Sequence, residues 1–196
     1  MLGKPVHFSL VVNSTPSMGD FEIYSIAQPA SDPDITKYIG LRLLALKTNP
    51  EAFGSTYDRE SKEPFEEFRK RLNVKGRRTF VARRTVQGGG EEWVGTASIL
   101  APEMLDESQG GYRHVLVGMW VHADYRRNGL AKRLINAGRE WVRISTQGLP
   151  EEKRRLTLEV HGHNSAGSAL YEALGFMQDE GKCNDPTRIP MFVIAK

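Results

Sequence analysis

Cysteine is almost absent from this chain of 196 residues, where Cys183 is the only one. A single cysteine cannot form a disulfide within the chain, so the sequence carries no sign of an oxidising compartment. Long apolar runs are also missing, and no segment reaches the roughly 18 apolar residues that a membrane helix needs. Residues 6–12 are apolar but lack a charged leader and a cleavage site. We therefore expect no membrane association and a cytoplasmic protein, or a nuclear one if the organism is eukaryotic.

A large net charge is missing as well. The 27 basic and 24 acidic residues leave a formal net charge of +3, which does not by itself indicate a nucleic-acid partner. An apolar fraction of 39% and a charged fraction of 26% are ordinary for a globular protein. The length suits one domain with a hydrophobic core. We expect a single domain over residues 21–196, preceded by an arm or extra strand over residues 1–20.

Apolar periodicity predicts an alternation of strands and helices. Strands are predicted over residues 21–27, 79–83, 93–100, 114–121, 156–160 and 189–194. Helices are predicted over residues 32–48, 64–72 and 165–174, with another that begins at Leu130 and ends before residues 147–150. The order predicts an α/β fold of the α+β type with a mixed sheet, in which antiparallel hairpins precede a strand–helix–strand crossover. The nearly continuous apolar run over residues 114–121 predicts a strand that is buried on both faces.

The loop Arg126-Arg127-Asn128-Gly129-Leu130-Ala131 opens a helix directly after that strand. Successive backbone N–H groups and the partial positive charge of a helix start together form an anion site that suits a pyrophosphate. Gly129 allows a close approach of the backbone, and the arginines add full positive charges. The loop lacks the three glycines of the dinucleotide fingerprint and the Gly-Lys-Ser/Thr ending of a nucleotide P-loop, which disfavours NAD and ATP. A tight turn with surface arginines is the structural alternative.

Two motifs together resemble the GNAT family of N-acetyltransferases. The pattern Arg126-x-x-Gly129-x-Ala131, with its lead-in over residues 119–125, resembles the acetyl-CoA-binding motif of that family. The segment over residues 164–176, which runs from Asn164-Ser165-Ala166 to Gly175-Phe176, resembles its second signature. Two motifs in the right order and spacing are more specific than either alone. The resemblance covers residues 115–176, and a weaker likeness extends over residues 43–60.

The resemblance implies a mostly antiparallel mixed sheet with helices on both faces and a splayed pair of strands, between which acetyl-CoA binds as the acyl donor. Backbone groups of residues 119–121 would pair with the pantetheine arm as another strand would. An N–H near Val121 would face the thioester oxygen and stabilise the oxyanion. The loop would hold the pyrophosphate. The cofactor contacts implied in this way are Met119, Trp120, Val121, Arg126, Arg127, Asn128, Gly129, Leu130, Ala131, Lys132, Asn164, Ser168 and Tyr171.

Catalytic roles follow from the same resemblance. Tyr171 matches the tyrosine that protonates the leaving thiolate, and a phenol pKa of about 10 against about 8.5 for a thiol makes that transfer roughly balanced. Its alternative is a core aromatic, and the alternative for Asn164 is a plain helix cap. Glu159 is the predicted general base, with His161, His163 and His114 as further candidates. The pair His161-x-His163 lacks a third ligand at sensible spacing, so no metal site is predicted.

The sequence thus predicts an enzyme that transfers an acetyl group from acetyl-CoA to a primary amine, on either a small molecule or a protein acceptor. The alternative is a CoA-binding or partner-binding module with weak or no turnover. Nucleic-acid binding is disfavoured because the basic residues are not interleaved with aromatic ones. A homodimer is possible by analogy with the family. The sequence does not identify the acceptor.

Overall fold

A computed structural model of the protein describes residues 20–105, 112–180 and 185–196. The arm or extra strand predicted over residues 1–20 lies outside these ranges except for its last residue, and so does the single cysteine, Cys183. Among the helices of the described ranges, none combines the length and the apolar character needed to cross a bilayer.

Every strand and helix predicted within the described ranges is present, with bounds that differ by a few residues. Two short elements, α2 and β6, were not predicted because a single turn or a residue pair produces no periodic pattern. The elements are β1 (Phe21–Ser25), α1 (Asp32–Thr48), α2 (Tyr57–Glu60), α3 (Phe65–Asn73), β2 (Arg77–Thr85), β3 (Glu91–Leu100), β4 (His114–Val121), α4 (Leu130–Ser145), β5 (Arg155–His161), α5 (Ser165–Ala173), β6 (Met177–Gln178) and β7 (Arg188–Ile194).

The strands form one seven-stranded sheet in the order β1-β2-β3-β4-β5-β7-β6. Every neighbouring pair is antiparallel except β4 and β5, which are parallel. Helix α4 makes the crossover between these two strands, as parallel neighbours require. The predicted mixed, mostly antiparallel sheet is therefore confirmed.

Helices cover both faces of the sheet. On one face, α4 buries Leu134, Ile135 and Val142 in a core that includes side chains from the central strands. On the other face, α1 and α3 bury residues such as Ile35 and Phe68 in a second core. The periodic apolar stripes of these helices explain both layers, because each stripe faces the sheet.

Strand β4 contains a bulge that separates it from β5. Thr96 pairs with Trp120 and Ser98 pairs with Val117, so Gly118 and Met119 together stand opposite one residue of β3. Gly118 has a φ of 63°, a left-handed conformation that glycine adopts without strain. Beyond the bulge the two parallel strands no longer pair.

The ladder between β4 and β5 is limited to two pairs, His114 with Leu156 and Val115 with Thr157. The strands then diverge and leave a gap, which is the predicted splayed pair. The prediction that β4 is buried on both faces is wrong, because Val115 and Val117 are only half-buried. The side chains on this face line the gap and do not pack in a core.

Candidate active site

A cavity of about 1550 Å³ occupies the gap between the diverging strands. Its floor is formed by residues 115–121 of β4 and residues 157–161 of β5, and its other walls include residues of α1, α2 and α5. Pockets for one small ligand usually measure about 300 to 1,000 Å³. The volume therefore has room for two ligands side by side.

The cavity brings together part of the predicted site. The predicted residues that line it are Met119, Trp120, Val121, Arg126, Glu159, Asn164 and Tyr171. The remaining predicted residues, which lie outside its lining, are Arg127, Asn128, Gly129, Leu130, Ala131, Lys132 and Ser168. Arg126 is the one loop residue in the lining, and the residues that follow it lie outside. The loop therefore lies beside the cavity and does not form its wall.

The loop before α4 has the conformation of an anion-binding turn. Arg127 and Gly129 both adopt left-handed φ values, 62° and 70°, and the Asn128 side chain donates to the carbonyls of Tyr125 and Arg126 at 3.2 and 3.3 Å. No side chain caps the start of α4 and its first turn contains no acidic residue. The first N–H groups of the helix therefore keep their capacity to bind an anion. Leu130 is 2% exposed and anchors the loop in the core.

The guanidinium of Arg126 forms hydrogen bonds within the protein. Its Nε donates to the carbonyl of Val121 at 2.9 Å and its Nη2 donates to Oδ1 of Asn49 at 2.8 Å. Trp120 also donates to Asn49 Oδ1, at 3.0 Å. Asn49 thus joins the end of α1 to the end of β4. The sequence indicated only that Asn49 ends a helix, since a tertiary hydrogen bond leaves no periodic signal.

The peptide of Val121 points away from β3. The N–H of His122 donates to the carbonyl of Val94 in β3, at 2.8 Å. Residues of an antiparallel strand alternate in the side to which they direct their backbone groups. The N–H and carbonyl of Val121 are therefore directed toward β5, and its carbonyl is the one that Arg126 binds. The N–H consequently faces the gap.

Tyr171 lies on α5 with 9% of its surface exposed. Its ring packs edge-on against Phe176, with 5.6 Å between the ring centroids. Burial raises the pKa of the Tyr171 phenol to about 12. At neutral pH the hydroxyl therefore keeps its proton, but it is a weaker acid than an ordinary phenol, so proton transfer to a thiolate with a pKa of about 8.5 is uphill and no longer balanced. Tyr171 is both a core aromatic and a lining residue of the cavity.

Asn164 caps α5. Its side-chain oxygen accepts from the N–H of Gly167 at 2.9 Å, which confirms the helix-cap interpretation. Its amide also lines the cavity. A Cβ atom at Gly167 would lie only 2.6 Å from the Asn164 amide nitrogen, so only glycine leaves room for this cap.

Glu159 and His161 lie on one face of β5, as the strand period predicts, while the side chains of Leu158 and Val160 are buried in the core that α4 packs against. All four residues contribute to the cavity lining. The Glu159 carboxylate is partly exposed and accepts from Nη1 of Arg188 at 3.4 Å. Glu159 is therefore within reach of a ligand in the gap.

The histidine candidates separate into two groups. His161 and His163 line the cavity with their rings stacked at 5.3 Å between centroids. His114 is buried on the opposite face against Trp141, which removes it from the candidates for a general base. Within the described ranges, no group of three or more His, Cys, Asp or Glu side chains could hold a metal ion.

A buried ion cluster lies on the helical side of the cavity and was missed by the sequence analysis. Glu60 is 3% exposed and accepts from Arg42 at 2.7 and 2.9 Å and from Arg71 at 3.0 Å. Burial alone would raise the pKa of Glu60, but the hydrogen bonds and charge of Arg42, with the charge of Arg71, lower it to about 2. The carboxylate therefore ties α1, α2 and α3 together.

Solved structures similar to this chain include an acetyltransferase of the GNAT family from Streptococcus pneumoniae. It is 22% identical, and the match covers 88% of this chain and 99% of that chain at a TM-score of 0.62. Spermidine N-acetyltransferase from Vibrio cholerae, in complex with CoA and spermine, is 15% identical over 90% of this chain and 96% of its own, at a TM-score of 0.61. NAA60 from Arabidopsis thaliana, in complex with acetyl-CoA, is 17% identical, and the match covers 89% of this chain and 98% of that chain at a TM-score of 0.57. At identities this low, the structural similarity establishes the fold alone.

Comparison with curated protein sequences gave no significant match. A family model described as the acetyltransferase (GNAT) family matches residues 44–176, which is about two thirds of the chain. The matched segment contains the bulged strand, the loop before α4, and Tyr171. The fold and this match together show that the chain belongs to the GNAT family of acetyltransferases.

Proposed function

We propose that the protein transfers an acetyl group from acetyl-CoA to a primary amine, and that residues 21–196 form the single domain that does so. The observation that carries the proposal is the gap between β4 and β5. This gap has an unpaired strand edge on one side, the phenol of Tyr171 in its lining, and an uncapped helix start beside its mouth. Each of these features suits one part of a long, anionic thioester.

The donor would lie along the unpaired edge of β4. Backbone groups at Met119 and Val121 have no partner strand beyond the bulge and can pair with the amide groups of a pantetheine arm, as another strand would. The pyrophosphate would then reach the backbone N–H groups between Arg127 and Lys132, with Asn164 and Ser168 near the other side of the arm. The Vibrio cholerae and Arabidopsis thaliana proteins of this fold, solved with CoA and acetyl-CoA, support this choice of donor.

The reaction would proceed by direct attack of the amine on the thioester carbon. The N–H of Val121 faces the gap and would stabilise the oxyanion as the C–N bond forms. The amine proton would pass to Glu159, directly or through water, with His161 and His163 as the alternative bases. As the C–S bond breaks, the proton of Tyr171 would go to the thiolate of CoA.

The experiment that tests this function follows CoA release from acetyl-CoA with a panel of amines, amino acids and peptides. We expect turnover that depends on one class of acceptor, with the acetylated amine identified by mass spectrometry. If no acceptor is acetylated and the protein still binds CoA tightly, the chain is a CoA-binding or partner-binding module. The proton on Tyr171 and the open N–H group at Val121 favour the enzyme.

Replacing Gly129 with glutamate is expected to weaken acetyl-CoA binding by roughly 100-fold. The new carboxylate would stand at the proposed pyrophosphate site, and juxtaposed like charges cost several kcal/mol. The position also has a φ of 70°, which strains any residue with a side chain. Isothermal titration with acetyl-CoA measures the change.

The matched control for this change is Gly148→Glu at the opposite end of α4. Gly148 also has a left-handed φ, 84°, and open space around it, so this change adds the same charge at a comparable backbone conformation. This variant should bind acetyl-CoA like the parent protein. Unchanged affinity in Gly129→Glu would remove the pyrophosphate from this loop.

A further inference from the structure

The lining of the cavity is strongly basic. Among the described residues it contains eight arginines and four carboxylates, and this imbalance is larger than that of the whole chain. The lining arginines are Arg42, Arg59, Arg71, Arg77, Arg113, Arg126, Arg155 and Arg188, and the lining carboxylates are Glu51, Glu60, Glu159 and Asp179. The question is which of these cations the protein itself neutralises.

Most of the carboxylates already have an arginine partner. Glu60 is occupied by Arg42 and Arg71. Asp179 accepts from Arg155 at 2.5 Å, and Glu159 accepts from Arg188 at 3.4 Å. Arg42, Arg71, Arg155 and Arg188 are therefore paired. Arg59 is largely exposed and lies 3.9 Å from Glu63, and Arg126 is bound to Asn49 and the Val121 carbonyl. None of these arginines needs a ligand.

Arg77 and Arg113 differ from the others. Neither forms an ion pair with a described carboxylate, and each has a buried nitrogen with no hydrogen-bond partner, Nε in Arg77 and Nη1 in Arg113. Nε of Arg188 also lacks a hydrogen bond, but it lies 3.1 Å from the carboxylate of Asp185.

The one side-chain partner of Arg77 among the described residues is neutral, since its Nη2 donates to Ser98 Oγ at 3.2 Å. Burial lowers the pKa of Arg77, and the nearby charges of Arg71 and Arg42 lower it further. A buried guanidinium with an unfilled donor is costly unless an anion pairs with it.

Both arginines lie at the end of the cavity away from the proposed donor site. Arg77 pairs with Leu100, and Leu100 pairs with Val115, so the Arg77 backbone shares a row of the sheet with the start of β4. Arg113 directly precedes that strand. Met119 follows Val115 by four residues, on the order of 13 Å along a strand. The anion that these arginines would bind therefore belongs to the acceptor and not to CoA.

We propose that the acceptor is a primary amine that also carries a carboxylate, which Arg77 and Arg113 bind. This inference rests on the proposed acetyl transfer. The amine end would point along β5 toward Glu159 and the unpaired edge of β4, where the thioester would lie. An amino acid and a short peptide both present this pair of groups, whereas a polyamine presents two cations and no partner for the arginines.

The test uses pairs of amines that differ only by a carboxylate. Lysine and cadaverine form one pair, β-alanine and ethylamine form another, and a short peptide against its C-terminal amide separates peptides from free amino acids. Binding to the CoA-saturated protein is measured by titration calorimetry, and kcat/KM by CoA release. We expect the carboxylate member of at least one pair to bind and react at least 10-fold better.

The variants Arg77→Gln and Arg113→Gln should each reduce that preference by 10-fold or more, while the KM for acetyl-CoA stays unchanged. Arg69→Gln is the matched control, because Arg69 lies on α3 outside the cavity lining and pairs with Asp32 and Glu66. It should keep the full preference. Because Arg77→Gln removes a buried cation that has no carboxylate partner, its melting temperature should not fall. Arg113→Gln tests the carboxylate preference independently at the second arginine.

Each outcome decides between the two proposals. Equal binding of both members of every pair, or a preference for cadaverine, overturns the carboxylate site while leaving acetyl transfer intact. A preference that survives in both arginine variants also overturns it. If no amine is acetylated, the proposed function fails, and the calorimetric preference with its dependence on Arg77 still shows whether the carboxylate site exists.

Discussion

Replacing Tyr171 with phenylalanine is expected to lower kcat by about 10²- to 10⁴-fold, the usual contribution of a positioned general acid. The thiolate of CoA would then have to leave without a proton from the protein. The ring would keep its edge-on contact with Phe176, so folding and acetyl-CoA affinity should stay close to those of the parent protein. Single-turnover kinetics with a fixed acceptor measures the chemical step directly.

The pH profile adds a second readout. Because burial raises the pKa of Tyr171 to about 12, the phenol stays protonated through the usual assay range. Loss of this acid should therefore lower the rate at every pH below about 10 without moving the limbs of the profile. The alkaline fall of activity that Tyr171 controls should begin only near its own pKa.

Tyr24→Phe is the matched control, because it removes a phenol whose hydroxyl donates to Asp34 at 3.0 Å and which does not line the cavity. It should leave kcat unchanged. An unchanged kcat in Tyr171→Phe would end the proton-donor assignment and leave Tyr171 as a core aromatic.

The elements of this fold were predictable because each long segment buries one periodic apolar face. The strand over His114–Val121 has the predicted bounds, and α4 begins at Leu130 and ends before residues 147–150, as predicted. The resemblance to the family implied a bulged fourth strand that splays from the fifth, but no sequence pattern located the bulge at Gly118. A glycine in an apolar strand indicates no direction of bending by itself, and the register with β3 is what defines the bulge.

Sequence patterns offer information only about the proposed donor side of the candidate site. The loop before α4 and the segment around Tyr171 are local, so their spacing along the chain carries the information. The proposed acceptor side contains pairs distant in sequence, such as Arg42 with Glu60. Arg77 lies just before the strand predicted over residues 79–83, and no sequence pattern assigned it a role. Its unfilled Nε is a property of tertiary burial, which no single segment reveals.

Replacing Glu60 with glutamine is expected to lower the free energy of unfolding by about 3–5 kcal/mol, because it leaves the buried charge of Arg42 without a carboxylate and Arg71 with Glu63 alone. For a chain of this size, such a loss corresponds to a fall in melting temperature on the order of 10 °C. Urea denaturation followed by circular dichroism measures the free energy. Glu66→Gln is the control, since Glu66 forms an exposed pair with Arg69 on α3 and should cost less than about 1 kcal/mol.

The same cluster predicts how stability depends on pH. The pKa of Glu60 is about 2 in the folded protein and 4.5 ordinarily, so the folded state favours the charged form. By linkage, this pKa difference contributes roughly 3 kcal/mol to the free energy of unfolding. The contribution is present in full above about pH 5 and is lost as the pH falls toward about 2.

Glu60→Gln should lack that acid-sensitive part of the stability, so the curves of the two proteins should converge at low pH. A parallel pair of curves would show that the ion cluster does not hold the three helices together. Adding Arg42→Met to Glu60→Gln should recover part of the lost stability, because it removes one buried charge and leaves Arg71 paired with Glu63. Without that recovery, the loss in Glu60→Gln would come from altered packing of α2 and not from uncompensated charge.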